Sequence, residues 1–154
     1  MERHNVGVRA KSAEADNSDV DERQVLVDRE TGLHVGWYFW LRVLDEVRRS
    51  DRYGSPFALL LLDAGQGGHR VQHDLARLPG VIRSTDLGGM IGTGRAGVLL
   101  TEQEPEGAGI AAGRVLAHLL ASGVTWRSEL LCYPRDAAAI THLLTMPEPE
   151  RRAG

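Results

Sequence analysis

The chain has 154 residues, 42% of them apolar and 25% charged, with a formal net charge of −3. Such a chain is long enough for one domain with a proper core, and its slightly acidic balance gives no basic face for a nucleic-acid polymer. No apolar run approaches membrane-spanning length, and the single cysteine, Cys132, rules out an internal disulfide.

Residues 1–24 are polar, charged and aperiodic, which reads equally as a flexible tail or as a segment that orders on a partner. Glu2, Arg3, Lys11, Glu14 and Asp16 leave no apolar centre for a signal peptide, so the cytoplasm is the expected location. Lys11 is the only lysine among 18 basic residues. Arginine suits planar recognition of phosphate and guanine, although a GC-rich genome explains most of such a bias. The folded part is expected over residues 25–146.

A helix is predicted from about Asp28 to Arg52, with Leu33, Trp37, Leu41, Leu44 and Val47 on one core-facing stripe. The aromatics Trp37, Phe39 and Trp40 read as core packing or a subunit contact. Tyr53-Gly-Ser-Pro56 ends that helix. Phe57–Asp63 is a continuous apolar run closed by a carboxylate, as in a central strand covered on both faces. Gly65-Gln-Gly-Gly68 leads into a short helix over about Val71–Leu78. His69 and His73 stand one helical turn apart, a spacing that a metal can use, but only Asp74 is near as a third ligand, so two solvated histidines are the better reading.

Strands are predicted at about Leu87–Ile91 and Gly97–Thr101, joined by a glycine-centred hairpin. A helix follows over about Glu106–Ala121, patterned by Ile110, Val115, Leu116, Leu119 and Leu120. Val124–Tyr133 is a strand that Pro134 ends, and Asp136 is the expected cap of a last helix reaching Met146. Residues 147–154 form a C-terminal tail. The order α-β-α-β-β-α-β-α predicts an α/β fold with a mixed central sheet of about four strands flanked by helices.

The chemistry concentrates between Arg83 and Leu100. The hairpin tip, Gly92-Thr-Gly-Arg-Ala96, carries no acidic residue, whereas Arg83 and Asp86 stand just before the first hairpin strand. An arginine can fork onto the two acceptors of a guanine Hoogsteen edge while a carboxylate accepts from its N–H groups. The plainer alternative is a local ion pair worth little. The run Gly92-Thr-Gly94-Arg-Ala-Gly97 also spells G-x-G-x-x-G. That dinucleotide fingerprint needs a helix directly behind it, and Val98-Leu99-Leu100 reads as strand.

Taken together, these residues resemble the GGDEF family of diguanylate cyclases, a nucleotidyl cyclase fold related to the polymerase palm. The resemblance runs from about Asp28 to Met146. Asp28-Arg-Glu-Thr31-Gly32-Leu33 is similar to the family's D-x-L-T-G-L opening, and Phe57–Asp63 to the strand ending in its first metal-binding aspartate. Val124-Thr125 is similar to the start of the late T-x-S-x-G strand. Aligning Asp86 with the R-x-x-D aspartate puts Gly92-Thr93-Gly94-Arg95-Ala96 on the signature itself.

The second metal carboxylate then becomes Gly94, the next acidic position Arg95, the companion of Asp63 Gly65, and the nearby lysine Gly68. The guanine-recognising N-D…G-H…G-D stretch and the basic K-x-x-G-R tail are missing. The resemblance therefore implies a degenerate domain without catalytic residues, bound metal or cofactor, since one carboxylate cannot hold a triphosphate–magnesium complex. It also implies a surviving inhibitory-type site, in which Arg83, Asp86 and Arg114 on the following helix converge on cyclic di-GMP. Arg114 reads otherwise as a solvated helix residue. The expected function is a bacterial cyclic di-GMP receptor signalling to an unidentified protein partner. A homodimer is compatible with it, because cyclic di-GMP dimers can bridge two such domains. The alternative is a nucleotide-independent interaction scaffold.

Overall fold

The computed structural model describes residues 26–146, and the readings of residues 1–24 and 147–154 as tails lie outside them. The elements are α1 (Gly36–Tyr53), β1 (Phe57–Asp63), α2 (His69–Arg77), a 3₁₀ turn (Leu78–Gly80), β2 (Leu87–Gly92), β3 (Arg95–Thr101), α3 (Pro105–Leu120), β4 (Arg127–Tyr133) and α4 (Ala137–Thr145). The four strands form one sheet in the order β2-β3-β1-β4.

The predicted mixed sheet is corrected in one respect: all three ladders are antiparallel. The only parallel element among the described residues is the single bridge His34↔Gly89 at the outer edge. The cause is interleaving. The helical crossovers β1-α2-β2 and β3-α3-β4 each join strands of one direction, as such connections do. Each pair, however, receives a strand of the other pair between its members, so every neighbour runs opposite.

Alternation along β1 then serves two cores. Ala58, Leu60 and Leu62 pack with α2 and α3, whereas Phe57 and Leu59 pack with α1 and α4. The central run Phe57-Ala-Leu-Leu60 is buried throughout, as its unbroken apolar character predicts.

Three local expectations change. Helix α1 begins at Gly36, not near Asp28. The Asp28 carboxylate accepts hydrogen bonds from the Thr31 N–H (3.0 Å) and hydroxyl (2.6 Å), and Gly32 turns at φ +73°. Such side-chain capping of a turn competes with helix. Leu33 and His34 leave it extended, and His34 exchanges backbone hydrogen bonds with Gly88 and Met90 on β2.

The buried side of α1 is also different: it is Phe39, Trp40, Val43, Glu46 and Ser50, while Trp37 and Leu41 of the predicted stripe stand exposed. Two apolar registers compete on this helix, and the sheet chooses between them. Gly89 and Gly97 face each other across β2 and β3. A Cβ on either would lie 2.5 Å from Phe39 atoms, so the bare backbone is the floor on which the ring sits. Burying that ring contributes about 1.5–3 kcal/mol.

Finally, Asp136 occupies the N-cap position of α4 without capping it. Its carboxylate reaches back to the Cys132 N–H at 2.8 Å and to Arg135 at 3.0 Å. The Cys132 N–H and then Arg135 hold its pKa below the usual carboxylate value. Cys132 itself is buried, which pushes its thiol pKa up.

Candidate functional site

Arg83-Ser-Thr-Asp86 is a four-residue turn, closed by the Asp86 N–H to the Arg83 carbonyl (3.0 Å), that feeds the sheet's edge strand β2. The sequence suggests a helix end here. The structure instead places a 3₁₀ turn and six further residues between α2 and β2. Asp86 is nearly sealed, its side chain 2% exposed, while that of Arg83 is 40% exposed.

The carboxylate is saturated. Oδ2 accepts from the Arg83 backbone N–H (3.2 Å) and Nε (3.1 Å). Oδ1 accepts from Arg83 Nη2 (2.8 Å) and from the Thr101 N–H (3.2 Å). Those four donors match the four lone-pair sites that an ionised carboxylate offers. Arg83 Nη2 also donates to the Thr101 carbonyl at 2.7 Å, and the Thr101 hydroxyl bonds the Thr85 carbonyl at 3.0 Å. The turn is thereby clamped to the end of β3. The bond to Asp86 raises the arginine's pKa above its ordinary value, so Arg83 is a permanent cation with its Nε/Nη2 edge engaged.

What remains is Nη1 and the face of the guanidinium. Gln103 sits beside this edge: with its amide oxygen turned inward it accepts from Nη1 at 3.2 Å and Nη2 at 2.9 Å. No sequence signal marks Gln103, which lies in the loop entering α3.

Arg114 is exposed on α3, and Ile110, 69% exposed, stands one turn before it. Arg114 lies nine positions after Pro105, about 13 Å along the helix axis. The structure thus brings Arg83 and Asp86 into direct contact. Arg114 has no hydrogen bond or ion pair to either of them.

The other end of the hairpin is built differently. Asp63 ends β1 opposite Arg95, whose Nε lies 3.7 Å from the Asp63 carboxylate. The carboxylate also accepts from the Gly65 N–H at 2.7 Å. A guanidinium therefore stands beside Asp63 where a metal site would need further carboxylates.

Gly94 turns at φ +66°, and a Cβ there would fall 2.1 Å from the Gln66 carbonyl oxygen. Its own carbonyl accepts from the Ala64 N–H at 2.9 Å. The loop after β1 is thus seated against the hairpin tip. Behind Gly92-Thr-Gly94 the chain returns as strand β3 and no helix follows directly, so the pyrophosphate-binding geometry of a dinucleotide fold is absent from this loop.

His69 and His73 are exposed on α2. Asp74 is turned inward, where it accepts from the Ser122 hydroxyl (2.5 Å) and Trp126 Nε1 (3.1 Å). Among the described residues no three metal-ligating side chains gather at one point.

No protein-family model matches the chain. Solved structures do resemble it. A sensory box/GGDEF family protein from Caulobacter crescentus superposes with a TM-score of 0.64 at 20% identity, covering 76% of this chain and 91% of that one. The coiled coil and GGDEF domain of DgcB from Caulobacter crescentus, solved in complex with c-di-GMP, gives 0.64 at 12% identity and covers 96% of each. The diguanylate cyclase SiaD from Pseudomonas aeruginosa, in complex with its activator SiaC, gives 0.58 at 18% identity. That match covers 93% of this chain and 65% of SiaD. At these identities the likeness shows the fold: an α/β domain of the GGDEF type.

Proposed function

We propose that this GGDEF-fold chain is a receptor for cyclic di-GMP that does not turn GTP over, and that it passes the bound state to a protein partner. The observation that carries the reading is the Arg83 turn: a half-exposed guanidinium held by a sealed carboxylate at the rim of the sheet. Cyclic di-GMP combines two phosphodiesters with two guanines. It offers anionic oxygens, the N7/O6 acceptor pair and flat rings, all of which a guanidinium binds by hydrogen bonding or stacking.

In this reading Arg83 meets the ligand through its face and the Nη1 hydrogen that Gln103 does not take. Asp86 has its four acceptor sites filled, so it acts as a positioning residue for Arg83. Arg114 reaches the same ligand from α3, the ligand spanning the gap between the two arginines. The absence of turnover is read from the other end of the hairpin, where Arg95 pairs with Asp63 and Gly94 has no room for a side chain.

Isothermal titration of cyclic di-GMP tests the proposal. Wild-type protein is expected to bind in the micromolar range, about −8 kcal/mol, without added metal. Arg83→Ala is expected to weaken binding by about 100-fold. It is also expected to lower stability, because it leaves the sealed Asp86 carboxylate without its charged partner, so the titration is run well below the variant's unfolding transition. Wild-type protein that takes up no ligand sinks the receptor reading, and cyclic di-GMP formed from GTP and magnesium sinks the claim of no turnover.

A nucleotide-independent interaction scaffold is the second reading. It is favoured by the exposed Trp37 and Leu41 on α1, and it predicts no heat with cyclic di-GMP in any variant.

A further inference from the structure

We infer that the outer face of α1 is a self-association surface that seats α1 of a second copy of this chain, antiparallel and across a two-fold axis. The proposal is independent of any nucleotide. A shallow apolar groove of about 430 Å³ lies between α1 and α4, lined by Trp37, Trp40, Leu41, Leu44, Val47 and Leu144. Trp37 is 51% and Leu41 45% exposed.

Neither belongs to the buried side of the helix; Trp37 meets Tyr38 edge-on, and about half of each side chain is left to solvent. Trp37, Leu41, Leu44 and Arg48 follow one another at steps of four, three and four, the alternation that keeps a seam facing a partner helix. The row spans about 16 Å of helix. Adjacent large apolar side chains left on a surface mark an interaction site rather than ordinary exposure.

The occupant follows from chemistry on both sides of the seam. Residues 1–25 and 147–154 contain no Leu, Ile, Phe, Trp or Tyr, so these flanking segments lack the side chains to fill an apolar groove. The seam is complementary to itself in one orientation. About a two-fold axis between Leu41 and Leu44, each Leu41 meets the opposite Leu44, and each Trp37 meets the opposite Arg48. A guanidinium over an indole face is the stronger kind of cation–π pair. A parallel arrangement would instead set Arg48 against Arg48. Antiparallel pairing also opposes the two helix dipoles favourably, and an isologous patch of this kind closes as a dimer.

Sedimentation equilibrium on the full chain without ligand tests the surface. Wild-type protein is expected to be a dimer at concentrations of about 100 µM or below. Leu41→Glu, at a half-exposed position, is expected to be monomeric with an unchanged far-ultraviolet circular dichroism spectrum. Arg48→Glu is expected to weaken the dimer by about tenfold. The double exchange Trp37→Arg with Arg48→Trp preserves the opposed pair, so it is expected to dimerise better than either single exchange. A wild-type monomer throughout this range overturns the proposal. So does a dimer untouched by Leu41→Glu, which would place the contact elsewhere. A double exchange no better than its single components overturns the antiparallel register.

Discussion

The two ends of the β2–β3 hairpin share a backbone but not a chemistry. At the base, Asp86 is sealed and fully hydrogen-bonded, and it aims a guanidinium at solvent. At the tip, Asp63 is more than a third exposed, pairs loosely with Arg95, and lies beside a glycine whose neighbour loop leaves no space for a side chain. A carboxylate with four donors is expensive to disturb, whereas one facing a long ion pair near water is not. The base is therefore built to hold a fixed shape, and the tip is closed by backbone packing.

The sharpest way to break this comparison is Asp86→Ala. It strands the Thr101 and Arg83 N–H groups and frees the guanidinium, so we expect a loss of about 3–5 kcal/mol in chemical denaturation, together with loss of cyclic di-GMP binding. An unchanged midpoint would show that the base is no more anchored than the tip.

Gly94→Asp asks the converse question at the tip. With a positive φ and a 2.1 Å approach to the Gln66 oxygen, the new side chain forces the loop away at about 1–3 kcal/mol. Binding at the base should be unaffected, and no cyclic di-GMP should form from GTP. Product formation would mean that the tip needs only its carboxylate back.

Arg114→Ala sharpens the outline of the base site. A second arginine reaching the same ligand predicts about tenfold weaker binding and no measurable change in stability. Wild-type affinity in that variant would confine the site to the Arg83 turn.

The smallest expected effect lies on the α1 side of the base, in a cleft where His34 sits with Tyr38 and Arg42. Burial, aided by Arg42, holds the imidazole pKa below 6.5. The neutral ring is thus the folded form, and the unfolded chain takes up a proton first. Its contribution is present above pH 6.5 and is lost as pH falls through the lowered folded pKa. The mid-acid slope of stability against pH should flatten in His34→Gln; an identical slope would show that this histidine is not responsible.

Much of the fold is legible in the chain. The unbroken run Phe57–Leu62, the hairpin around Gly94 and the helix from Pro105 report their own burial through local pattern. The Arg83–Asp86 pairing is legible too, because residues three apart in a turn must meet. Saturation of Asp86 is not, since its fourth donor is the Thr101 N–H, which the path of β3 brings to it. The buried side of α1 is also illegible. Trp37/Leu41/Leu44 and Phe39/Trp40/Val43 are equally good helical stripes, and only Gly89 and Gly97, some fifty residues on, admit Phe39 and leave the other row outside.

The sequence by itself determined the element order, the central strand, the hairpin and the residues on which a ligand reading rests, because these follow from contacts between near neighbours. The tertiary structure alone decided the interleaving that makes every ladder antiparallel, which row of α1 faces the sheet, and which edge of Arg83 is engaged by Asp86 and Thr101. Those outcomes depend on space and hydrogen-bonding capacity supplied by segments distant in the chain.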